Sequence, residues 1–198
     1  MLLITTIMGN QKDGIITMPN YKEKITSPLT EEEFLKGMKG GYFVKKPQHQ
    51  GLVAFLHYTA VRISEALEMT RGQFRLTPNI LYCDIGLRLK HSHKTDPLPL
   101  PLDAAYVSCI EDSLLGLKPK DKVWKYCRKT GYNVVRRVFK YPHYHRLSRI
   151  TQFFLDGYTI AEVKSWTGLS LKALDYYVGL VAIDKMGKSL AGQSLDRK

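Results

Sequence analysis

Apolar positions recur along this chain at two different spacings, and the change from one to the other organises it. Leu52, Phe55, Leu56 and Thr59 lie three and four residues apart, which predicts a helix over residues 48–59. An earlier helix opens at Thr30-Glu31-Glu32-Glu33. Thr30 can cap the first amides, Glu33 can close a capping box, and the acids suit the positive helix end. Gly40-Gly41 stops that helix. A third helix begins over residues 64–69, which leaves Arg62 at a helix–helix junction where a side chain projects away from packed faces.

Residues 74–102 change character. Phe74 to Thr77, a Pro78-Asn79 turn, and then Ile80 to Leu89 alternate as strands do. Lys90 to Asp96 form a polar turn, and Pro97, Pro99 and Pro101 return as an edge strand, since a proline has no N–H to give to a central one. Helical patterning then resumes over 104–115, 131–139, 146–156, 159–166 and 171–182, with Gly157 where a C-terminal cap belongs. Residues 1–28 contain Gly9, Gly14, Pro19 and Pro28 without a helical period and read as an N-terminal arm or leader. The Gly/Ser/Lys-rich segment 187–198 reads as a flexible tail. The expected fold is mainly α with a small antiparallel β-sheet (α+β), as one domain over 29–186.

Composition adds a partner to this picture. Thirty Lys and Arg stand against 18 Asp and Glu in 198 residues, a formal net charge of +12 with a pI near 9.6. Such an excess favours a polyanion, and binding that releases counterions depends steeply on salt. Cys83, Cys109 and Cys127 are scattered, odd in number and without a CxxC pair, which argues against a disulfide scaffold and a cysteine zinc site. No apolar run is long enough to span a bilayer, and the N-terminal apolar stretch is short with no basic residue before it. An intracellular protein without a membrane partner is expected. His91/His93 and His143/His145 lack ligands at metal spacing, and no phosphate-loop or dinucleotide glycine pattern occurs, so neither a metal nor a cofactor is expected.

The densest chemistry lies between His143 and Tyr177. His143-x-x-Arg146 is followed by Gly157, by Trp166-Thr167-Gly168-Leu169 and by Tyr176-Tyr177, while Arg62 and Glu65 stand upstream in Thr59-Ala60-Val61-Arg62-Ile63-Ser64-Glu65. Two arginines, a histidine and a tyrosine suffice to hold a phosphodiester and attack it: guanidiniums grip the non-bridging oxygens and the phenol is the nucleophile. In this order these segments resemble the tyrosine recombinase (phage integrase) family over residues 29–178, the span of that family's catalytic domain. The resemblance implies that Arg62 and Arg146 are the catalytic arginines, with Glu65 fixing Arg62 and His143 assisting proton transfer. It places Lys90, with Lys94 as the fallback, in the β-turn as the general acid for the leaving 5′ oxygen. Tyr177 is the expected nucleophile ahead of Tyr176, which is expected to pack inward beside it. Arg149, one turn beyond Arg146, is expected at a neighbouring phosphate. Pairing His145 with Arg149 is the other register, but Gly157 then falls out of place.

The chain departs from the family at two points. Leu169 occupies a position where a histidine or tryptophan usually donates to the phosphate, and Leu147 follows Arg146 where a histidine is frequent. Fewer than about thirty residues precede the first helix, in place of a helical clamp domain, which fits a catalytic fragment or a minimal enzyme. The implied activity is site-specific DNA recombination or integration through a 3′-phosphotyrosyl intermediate, with no ATP or metal. The implied assembly is a homo-tetramer on double-stranded DNA, weakly associated or monomeric away from it, and the source a virus or mobile element. A non-catalytic DNA-binding relative and a type IB topoisomerase-like nicking-closing enzyme are the alternatives.

Overall fold

The computed structural model describes residues 28–43, 45–85, 96–179 and 181–182. Lys90, Lys94, His91 and His93 fall outside these residues, as do residues 1–27 of the expected arm and the expected tail. Helix α1 (Glu31–Met38) starts as its sequence predicts. Thr30 accepts from the Glu33 amide, and the Glu33 carboxylate returns to accept from the Thr30 amide at 2.9 Å. Its Phe34 and Met38, one helical turn apart, are fully buried.

Helix α2 (Pro47–Thr59) forms the central rod, with every residue from Gly51 to Thr59 buried. It is hydrophobic all round because other elements cover all of it. Glycine is needed at position 51. A Cβ there would sit 2.3 Å from the Ser113 Oγ and 2.5 Å from the Cys109 carbonyl, so only a bare backbone lets α2 lie against α4 (Val107–Asp112). Helix α3 (Ile63–Ala66) is one turn long, shorter than the pattern over 64–69 predicts.

The sheet is β1 (Phe74–Leu76), β2 (Ile80–Cys83) and β3 (Leu98–Pro101), antiparallel in the order β1–β2–β3. Leu81 pairs with Leu100, and both side chains are buried. The prolines behave as an edge strand requires: Pro99 and Pro101 face out while Leu98 and Leu100 point inward.

Helices α5 (Arg128–Arg136), α6 (Pro142–Leu155) and α7 (Ile160–Thr167) follow, then a helix over 171–179, α8. Both α5 and α6 begin three to four residues before their apolar patterns do. In α6 the reason is Pro142 at the first position, whose fixed φ suits a helix start and whose missing N–H costs nothing there. In α5, Gly131 hides the start. A Cβ there would lie 3.0 Å from Leu67 Cδ1, so the glycine answers close packing on α3. One hydrophobic cluster runs from Phe34 through Trp124 to Tyr177.

Candidate active site

Three loci far apart in sequence meet at one end of α6. The first is the α2–α3 junction. The chain leaves α2 through Ala60, whose φ of 56° places a non-glycine residue in the left-handed region. That conformation costs about 1–2 kcal/mol, and strain of this kind persists only where the surroundings over-determine it. Arg62 follows as the extended residue capping α3, its side chain half exposed. Glu65 accepts from the Arg62 amide at 2.8 Å and from its Nη1 at 2.7 Å. A half-exposed pair like this adds only a few tenths of a kcal/mol, so its consequence is orientation of the guanidinium.

The second locus is the first turns of α6. Since the helix begins at Pro142, His143 and Arg146 both lie within it, one turn apart on one face. His143 is exposed, whereas Arg146 is 2% exposed. Arg146 Nη1 donates to the Ala60 carbonyl, which explains what the left-handed turn accomplishes. Arg146 Nη2 is buried without a hydrogen-bond partner among the described residues. An unmade hydrogen bond to a buried charged donor is costly, and such donors concentrate where a ligand completes them. Burial pulls the guanidinium pKa down, and the nearby Arg62 charge adds to this. An arginine nonetheless stays protonated.

The third locus is α8. Leu174 and Tyr177 are buried on it at helical spacing, as is Val181 beyond its end, while Tyr176 is 59% exposed. The expectation that Tyr176 packs inward is therefore corrected: the helix turns Tyr177 in and Tyr176 out, their rings 5.5 Å apart in a T-shaped contact. Burial raises the Tyr177 phenol pKa, and the Arg146 and Arg62 charges oppose that rise. The phenol is close enough to Arg146 for a side-chain hydrogen bond to add to the effect of the charge, although Nη2 itself makes none of normal geometry. Although the residue as a whole is exposed, partial desolvation of the His143 ring, then Arg146 and Arg62, hold its pKa below the ordinary imidazole value, which favours the neutral form that can accept a proton.

A cleft of about 160 Å³ opens on Arg62, His143 and Arg146, while Tyr177 lies outside its lining. Its lining includes Arg62, Arg128, His143 and Arg146 with Tyr132 and Tyr141, and no carboxylate. A slit of about 10 Å³, roughly the room of one water, is also lined by Arg146, with Thr59, Glu65, Trp166 and Thr167. The structure thus gathers Arg62, Glu65, His143, Arg146 and Tyr177. Arg128, Tyr132 and Tyr141 are additions that the sequence pattern did not single out. Their only signal was basic and aromatic residues interleaved ahead of His143.

Other expected residues lie elsewhere. Arg149 donates from Nε to the Tyr58 carbonyl at 3.3 Å and packs over Phe153 at 4.6 Å. It lines a separate cavity of about 270 Å³ with Glu31, His57 and Asp156 that shares no residue with the cleft. Positions 143 and 149 lie about 120° apart around the helix, so Arg149 leaves the side of α6 that His143 occupies and turns to α2 instead. His145 is fully buried against Phe139, 4.7 Å between ring centres, and takes no part in the site. Leu169 packs partly buried against the core and offers no side-chain donor. Among the described residues no three His, Cys, Asp or Glu side chains gather as a metal site, and no helix is long and apolar enough to cross a membrane.

No protein-family model matches the sequence, and a search of curated proteins returns no match. Solved structures do match in fold. XerH site-specific recombinase bound to palindromic difH substrate in a post-cleavage complex superposes with a TM-score of 0.64 at 17% identity, over 88% of this chain and 54% of that one. XerA recombinase gives 0.59 at 18% identity, over 81% of this chain and 61% of its own. The pre-cleavage XerH complex with difH gives 0.56 at 18% identity, over 74% and 47%. The present chain spans about half to three-fifths of the length of these recombinases.

Proposed function

With the fold being that of tyrosine recombinase catalytic domains, we propose that this protein is a site-specific DNA recombinase that cleaves and rejoins strands through a 3′-phosphotyrosyl intermediate. The observation that carries the reading is the buried Nη2 of Arg146, without a hydrogen-bond partner among the described residues, in an arginine that adjoins Tyr177 and lines a cleft with Arg62 and His143 and no carboxylate. An oxygen of a phosphodiester completes that donor. The fixed guanidiniums then meet the charge that develops on the phosphoryl oxygens, where preorganised donors are most effective.

In the proposed step the Tyr177 oxygen forms a bond to phosphorus and the bond from phosphorus to the 5′ oxygen breaks. The phenolic proton passes to neutral His143, and the 5′ oxygen takes a proton from Lys90. Attack of a 5′-hydroxyl on the phosphotyrosine reverses each transfer, so the bond energy is retained and no ATP is consumed. Glu65 keeps Arg62 aimed. Double-stranded DNA is the proposed partner, with a homo-tetramer on two duplexes as the proposed assembly. The excess of basic residues supports the first of these.

The test is a suicide substrate: nicked duplexes from the protein's own genomic neighbourhood, incubated in EDTA and resolved on a denaturing gel. A protein–DNA adduct that disappears in Tyr177→Phe and persists in Tyr176→Phe is expected. Loss only in Tyr176→Phe moves the nucleophile by one residue. No adduct, with salt-sensitive DNA binding intact, replaces the enzyme with a non-catalytic DNA-binding relative.

A further inference from the structure

We propose that Arg128 is a third phosphate-binding guanidinium of the cleft and acts on the phosphodiester together with Arg62 and Arg146. This rests on reading the cleft as a phosphodiester site. Arg128 is the first residue of α5, where the unpaired helical amides and the positive end of the helix also favour an anion. Its side chain lines the same cleft as Arg62, His143 and Arg146. The other two arginines have internal partners: Arg62 has Glu65, and Arg146 has the Ala60 carbonyl. Arg128 has neither ion pair nor hydrogen bond among the described residues.

Arg62 and Arg146 repel each other at a cleft whose lining holds no carboxylate, an arrangement that an anion relieves. The second observation pointing to that anion is the buried Nη2 of Arg146, without a hydrogen-bond partner among the described residues, in a side chain that lines the same cleft. The position also resolves a deficit. Leu169 stands where a donor to the phosphate is wanted, and it packs into the core. Arg128 brings a forked, permanently charged donor to the same cleft from another element.

Two readouts on the full chain separate this proposal from the reading it rests on. The first titrates inorganic phosphate into the protein and follows the His143 imidazole by NMR. The second measures the rate of adduct formation at saturating duplex. Arg128→Ala is expected to weaken phosphate binding about tenfold and to slow adduct formation about 100-fold, within the range seen when one transition-state donor is lost. Arg128→Lys should recover part of both. Arg128 is exposed at the end of a helix, so folding by circular dichroism should be unaffected.

Unchanged phosphate affinity in Arg128→Ala overturns the proposal. So does an unchanged rate at saturating duplex, which makes Arg128 an ordinary backbone contact, or a change only in which sequence is cleaved, which makes it a base reader. If the wild type forms no adduct at all, the recombinase reading fails by itself. The phosphate titration then still decides Arg128, since Arg128-dependent binding supports it and Arg128-independent or absent binding overturns it.

Discussion

Replacing His145 with leucine should make this protein more stable. The ring is 0% exposed, and neither Nδ1 nor Nε2 has a hydrogen-bond partner among the described residues. Around it stand Phe139 at 4.7 Å, His57 at 5.7 Å and Phe34 at 6.3 Å between ring centres. A neutral imidazole has one donor and one acceptor, and leaving a buried polar group unpaired costs about 1–3 kcal/mol. Leucine has neither group and a comparable volume, with a repacking cost below about 1.5 kcal/mol. Two such groups cost about 2–6 kcal/mol together, and subtracting up to about 1.5 kcal/mol for repacking leaves a net gain of at least about 0.5 kcal/mol at pH 7.5.

The same substitution should flatten the acid side of the stability profile. Burial, with the neighbouring His57, holds His145 well below the ordinary imidazole value, so the unfolded chain takes up a proton that the folded chain refuses. Stability is then level above about pH 6.5 and lost below it, by up to about 1.4 kcal/mol per pH unit until the folded pKa is reached. Urea unfolding followed by tryptophan fluorescence, from pH 5 to 7.5, measures both effects. A less stable His145→Leu protein with an unchanged pH slope refutes the reasoning, because it means that the ring has a polar partner such as a buried water. Adduct formation should survive the change. Its loss in a folded variant hands the histidine role to position 145.

Four further outcomes follow from the structure. Gly51→Ala should cost about 1–3 kcal/mol, because the new Cβ meets the Cys109 backbone carbonyl; a fall in the urea midpoint with unchanged m-value is the signature. Glu65→Ala should lower stability by less than about 1 kcal/mol yet slow cleavage up to about 100-fold, since it frees Arg62 in place. The acid limb of the cleavage profile should lie below 6.5, because His143 must be neutral to accept the proton and the two arginines hold its pKa down; Arg62→Gln should move that limb upward. Leu169→His should accelerate adduct formation by about 10-fold or more if its imidazole reaches the phosphate, and the gain should be larger in Arg128→Ala than in the wild type.

The sequence by itself determined whatever depends on near neighbours in the chain. The capping box at Thr30, the alternating prolines of β3 and the end of α6 before Gly157 are local, so spacing and residue type specified them. The order of motifs from Arg62 to Tyr177 also indicated the fold now found, and favoured Tyr177 over Tyr176. Two helix starts were missed where local signals conflict: Gly131 weakens the α5 pattern but is required by α3, and Pro142 marks a start that apolar spacing does not. Tertiary structure alone decided which polar residues share a space. It buried Arg146 against the Ala60 carbonyl, turned Arg149 and His145 into other surroundings, and brought Arg128 to the cleft. The physical reason is that chain periodicity fixes the face of a helix but not what packs on it. Burial, pairing and pKa belong to that packing.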